Sequence, residues 1–90
     1  MSEERWIKSE IIASKGVPEI INIIKQLYPT FDESEITKKA EEGFIPNPFV
    51  FEESESEVER ALAGLIHREQ AFFFLSYIQI LMNKYLEKTD

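Results

Sequence analysis

The sequence contains no cysteine. Disulfides and thiolate metal sites are therefore excluded, and the redox compartment is left open. Its one histidine, His67, stands between Ile66 and Arg68. A zinc site needs several spaced His, Cys or carboxylate ligands, and the order H-R-E does not match the paired-histidine helical motif. Nucleophilic catalysis requires a nucleophile held against a base that a third group orients. With one histidine, no cysteine and serines placed mostly where helices begin, no such set is in view. Glycine is scarce as well, at three residues, and no Gly-rich phosphate loop is formed. The chain is expected not to be an enzyme, and no cofactor or metal is expected.

Basic residues are few. Asp and Glu outnumber Lys and Arg by 17 to 10, for a formal net charge of −7, and the bases are scattered singly apart from Lys38 and Lys39. A nucleic-acid binder gathers a basic face to neutralise phosphates. Direct nucleic-acid binding is not expected, and a positively charged protein surface is the partner that this charge favours. Long apolar runs are missing too. Ala71 to Met82 contains Ser76 and Gln79 and is closed in by His67, Arg68, Glu69 and Lys84, well short of the roughly twenty apolar residues of a membrane span. The opening "MSEERWIKSE" sets acids ahead of Trp6 and Ile7 and does not read as a secretory signal. Cytoplasmic residence and no membrane contact are the expectations.

What is present describes one helical domain over residues 1–90. The hydrophobic fraction of 43% and charged fraction of 30% are those of an ordinary folded protein. At this size about a third of the unfolded surface stays wet, and an oligomer would widen the margin. Trp6, Ile7, Ile11 and Ile12 predict a first helix over residues 3–15, with Gly16 in the left-handed position that closes many helices. Pro18 and Glu19 suit the start of a second, over 18–28. There Ile20, Ile21, Ile24, Leu27 and Tyr28 recur at the spacing of one face until Pro29. A third, over 32–42, is capped by Asp32 or by Thr30 with Glu33 and carries only Ile36 and Ala40 to bury. It is expected to be the least stable helix, largely solvated outside that narrow stripe. In "FIPNPFVFEES" two prolines hold Ile45 and Asn47 extended, which predicts an extended Pro/Phe arm over 44–53 with no hairpin partner. The tripeptide Asn47-Pro48-Phe49 is one that endocytic adaptor modules bind. Three residues are too few to carry that reading, and Phe49 is expected to anchor the arm.

From Ser54 or Ser56 onward there is no proline and one glycine, and each serine is followed three residues later by glutamate, as in a capping box. A long helix over 56–87 follows. At about 100° per residue, Val58, Ala61, Leu62 and Leu65 form one apolar stripe, with Arg60, His67 and Gln70 opposite. Further along, Glu69, Ser76, Asn83 and Glu87 occupy the first line, and Phe74, Ile78, Leu81, Met82 and Tyr85 the second. The apolar face turns by about half a revolution. Helix formers through "LIHREQAF" favour a straight rod over a break. A straight rod needs cover on opposite flanks at its two ends.

The expected fold is all-α: three short helices, an extended arm and a long C-terminal helix, as a helical homodimer, with a compact four-helix monomer whose aromatics are all core as the alternative. The expected function is non-enzymatic protein binding by a small acidic adaptor, inhibitor or immunity-type factor. Its interface would be Phe73, Phe74, Tyr77, Ile78, Leu81, Met82 and Tyr85. Glu52, Glu53, Glu55, Glu57 and Glu59 would form an acidic patch that steers toward a basic partner. The alternatives are DNA mimicry directed at a nucleic-acid-binding protein and a purely structural homodimeric assembly subunit.

Overall fold

The N-terminal stretch expected to open a helix forms a strand instead. In the computed structural model, which describes residues 4–88, β1 (Trp6–Lys8) pairs antiparallel with β2 (Phe44–Pro46), setting Trp6 opposite Pro46, Ile7 opposite Ile45 and Lys8 opposite Phe44. Part of the expected arm is thus a strand. The prolines hold this backbone extended, and in a two-stranded ribbon both strands are edges, where proline is tolerated. No local turn announces the pairing because its partners are far apart in sequence. Backbone bonds continue it at both ends, from Ser9 N to Gly43 O at 2.9 Å and from Asn47 N to Arg5 O at 2.8 Å.

Helix begins at Glu10, and the turn Ile12–Gly16 is a π segment that runs directly into α1 (Val17–Leu27). Gly16 is right-handed, at φ −90, and does not end a helix. In a regular α-helix the Pro18 ring would meet the carbonyl of Ser14. The widened turn just before it, closed by Val17 N–H to Ile12 O, lets the chain pass that point unbroken.

α2 (Ser34–Glu41) starts beside Asp32, whose Oδ1 accepts from Ser34 N at 3.0 Å and from Ser34 Oγ at 2.7 Å. It ends in a turn where Gly43 takes φ 89, a left-handed value that glycine adopts without a Cβ clash. As the narrow stripe implies, Ile36 is buried in the core and Ala40 half-buried, while most of the other side chains of α2 are exposed. The remainder of the expected arm contains α3 (Pro48–Phe51). Asn47 caps it by accepting from Phe49 N at 3.0 Å, while its Nδ2 donates to Glu4 O at 2.8 Å. The anchor is Phe51, buried and edge-on to Trp6 at 6.0 Å, whereas Phe49 stays exposed. Asn47 and Pro48 are buried, so the adaptor-type tripeptide is not offered as a free peptide.

α4 (Glu57–Lys88) is continuous through residues 67–70. Its 32 residues give a rod about 48 Å long. Ser56 Oγ accepts from Glu59 N at 3.3 Å, as a capping serine does. The expected reciprocal arm is rerouted: Ser56 N donates to Ser54 Oγ at 3.1 Å, and Ser54 Oγ donates to Glu59 at 2.6 Å. The core gathers mainly isoleucines, with Ile24 and Ile45 fully enclosed, against Phe51, Leu62, Ala63 and Ile66. Mostly helical describes the fold, with one small sheet pinning the N-terminus to its middle.

Candidate protein-interaction surface

The body of the protein lies along one line of α4. Leu62 and Ile66 on that line are buried, and Glu69 and Phe73 are half-buried. Phe73 fits against Gly16, where an added Cβ would sit 3.3 Å from the ring. Beyond Phe73 the same line carries Ser76, Ile80, Asn83 and Glu87, all exposed and three of them polar. On the opposite line Arg60 and Gly64 are exposed, and a Cβ on Gly64 would meet nothing within 4 Å. His67 is half-covered there by Phe49, at 5.2 Å between ring centres, and sits 3.2 Å from Glu52 Oε2.

That opposite line then becomes apolar: Ala71, Phe74, Ile78, Leu81 and Tyr85. Phe74 is 64% exposed and Tyr85 69%, and even Ile78, the least open of the large side chains here, is 37% exposed. Leu75, Tyr77, Ile80 and Met82 are exposed as well. Ile78, Leu81, Met82, Tyr85 and Leu86 line a shallow apolar groove along the rod. Isolated singly such residues are ordinary, but here they form a contiguous set on one half of the helix. Of the seven expected interface residues, Phe73 is the exception, since it packs in part against the protein's own core. The other six share the projecting half of α4. Phe72, Leu75 and Ile80 belong with them by exposure; the spacing of Leu75 from Ile78, Met82 and Tyr85 could have found it.

The acidic patch is less uniform than its sequence. Arg5 Nη2 donates to Glu59 Oε2 at 2.6 Å, and the guanidinium lies 4.4 Å from the centre of the Phe51 ring. The hydrogen bond from Arg5, followed by that from Ser54, holds the Glu59 carboxyl below its ordinary range, and the Arg5 pKa is raised in turn. Glu59 is thus a structural ion pair joining β1 to α4. Glu52 faces His67, and Arg60 Nη1 donates to the carbonyls of Ser54 and Glu55 at 2.8 and 2.9 Å. Glu53, Glu55 and Glu57 keep exposed side chains.

A second concavity, an open groove of about 580 Å³, runs between the π segment, α1 and α2. It is lined by Ala13, Val17, Ile21 and Ala40 among others, with Glu33 and Glu41 as its charged members. Ser14, Asn22 and Thr37 add uncharged polar groups to the same lining. Among the described residues, no three His, Asp or Glu side chains gather in a way that would hold a metal ion, and no helix is long and apolar enough to cross a membrane. No protein-family model matches the chain, and no curated protein or solved structure matches it.

Proposed function

We propose that this chain is a non-enzymatic protein-binding module of the small acidic adaptor, inhibitor or immunity type. The projecting half of α4 is its binding element and a second copy is the first partner. One observation carries this reading: apolar side chains continue past the body on the line opposite to the one the body covers. Full burial of each large side chain is worth roughly 1.5 to 3 kcal/mol. Against a total stability of about 5 to 15 kcal/mol, covering this set is a major contribution. The exposed carboxylates Glu53, Glu55 and Glu57 would steer a basic partner to the body. Cytoplasmic residence is part of the same proposal.

A purely structural assembly subunit is the second reading, favoured by the concentration of exposed large apolar side chains on one helix, with only Ile11, Leu27 and Phe49 elsewhere among the described residues. DNA mimicry is the weaker one, because Glu59 is tied to Arg5 and Glu52 faces His67, which breaks the row of free charges.

The test is mass in solution by light scattering, followed by capture from native cells. A dimeric mass that persists from low to high salt is expected of an apolar interface. Phe74→Glu and Ile78→Glu should both give folded monomers. Dimeric mass unchanged in both variants would refute the assignment of the interface. Retention of a basic protein by the wild type, lost with Glu53, Glu55 and Glu57 all changed to Gln, would support the adaptor role. A dimer that captures nothing would leave the assembly subunit as the reading.

A further inference from the structure

Phe74, Ile78, Leu81 and Tyr85 recur at intervals of four, three and four residues, the spacing of a two-stranded coiled-coil seam. We infer that two copies pair antiparallel along this seam, with the two-fold axis passing between Gln79 and Ile80. The inference rests on the homodimer proposed above and specifies its direction and register.

Self-complementarity selects this arrangement. Turning one helix about that axis sets Phe74 against Tyr85 of the second copy and Ile78 against Leu81, so every large seam residue meets another. Ala71, the smallest member of the line, falls at the edge of the paired stretch. The flanks match as well. In antiparallel pairs, like flanking positions face each other, which brings Leu75 to Met82 on one side and Tyr77 to Lys84 on the other. Leu75 and Met82 are both apolar and exposed. The Lys84 ammonium can lie on the Tyr77 ring. Four such aromatic rings can bury about 150 to 250 Å² each, so with the aliphatic residues the pair clears the roughly 1,000 Å² of a specific interface.

A parallel pair is disfavoured by what the same line carries toward the body. It would set Arg60 against Arg60 and His67 against His67, and it would place two bodies of net charge −7 side by side. Leu75 would then face Gln70. The antiparallel pair puts the bodies at opposite ends of the shared rod, each on the side of its own helix turned away from the seam. Phe72 and Ile80 stay outside the pair, available to a further partner.

The chain has no cysteine, so a spin label can be placed at one site. Gly64→Cys is suitable because the position is open and a Cβ there meets nothing. Antiparallel pairing separates the two labelled backbones by about 47 Å along the rod. Parallel pairing brings them to within about 10 Å between helix axes. A pulsed dipolar distance between about 40 and 60 Å supports the inference. A distance near 20 Å from a sample of dimeric mass overturns the direction and leaves the dimer standing. A monomeric mass overturns both. The register is tested separately by charge. Leu75→Lys and Met82→Glu should each weaken the dimer by about tenfold or more, and the double variant should recover most of that loss, because each lysine then faces a glutamate. Additive losses in the double variant would overturn the register.

Discussion

A Cβ built on Gly16 would lie 3.3 Å from Cε2 of Phe73 and 3.2 Å from Cγ2 of Ile12. This close approach, inside the π segment, is where the body releases α4. Phe73 is the last ring on the body-facing line to be half-covered, and the turns beyond it stand free of the body. Gly16→Leu should therefore destabilise the protein by about 1 to 3 kcal/mol through overpacking. Gly16→Ala should change stability by less than about 1 kcal/mol, since better helix propensity offsets a tight contact. Urea unfolding of both variants measures the difference.

Arg5 and Glu59 join the N-terminal strand to the first turn of α4, and their link has a pH signature. Glu59 has a depressed pKa in the folded protein, held down chiefly by the Arg5 hydrogen bond. Its contribution is therefore full above the unfolded value of about 4.3 and is lost as pH falls through the folded value. Both side chains keep some exposure, so Glu59→Gln should cost about 0.2 to 1 kcal/mol at neutral pH. The gap between wild type and variant should close on acidification below about pH 4. Unfolding midpoints followed from neutral pH into acid check this, and a gap that widened in acid would contradict it.

Asn47 serves two elements at once, accepting from Phe49 N and donating to Glu4 O. Asn47→Ala should cost about 0.5 to 2 kcal/mol for the lost cap alone. Asn47→Asp keeps the cap acceptor but turns a buried, charged oxygen toward the Glu4 carbonyl, so it should be at least as costly as Asn47→Ala. Thermal unfolding of the pair ranks them.

Phe74→Glu and Ile36→Glu separate the proposed interface from the core. Phe74 lies outside the body, so its replacement should leave the folded core intact and, on the proposed pairing, give a monomer. Hydrogen exchange in the last four turns should then accelerate, because an unsupported helical end is marginal in water. Ile36 is buried in the core, so a carboxylate there should unfold much of the protein or sharply lower its stability. Circular dichroism with mass in solution distinguishes the two outcomes.

Periodicity and capping were sufficient for α1, α2 and α4, because those signals act within a few residues. The absence of a helix break near His67 was legible in the helix formers around it, and so was the reversal of the apolar face. The strand at Trp6–Lys8 was not. Its apolar residues fit either a short helix or a strand, and its partner, Phe44–Pro46, is brought beside it only when the intervening helices fold. The roles of Gly16 and Pro18 within one continuous helix, and the burial of Phe51 in place of Phe49, were decided in the same way. Within the acidic run, sequence could count carboxylates but not separate Glu59, committed to Arg5, from Glu53, Glu55 and Glu57.

By itself the sequence determined a mostly helical chain, a long final rod, and an apolar line that changes face along that rod. Those follow from local geometry, since side-chain direction along a helix is set by residue number. Only the tertiary structure decided which face of the rod the body takes and where that cover stops, at Phe73 against Gly16. Contacts between distant segments fix those two boundaries, and they leave the line from Phe74 to Tyr85 exposed.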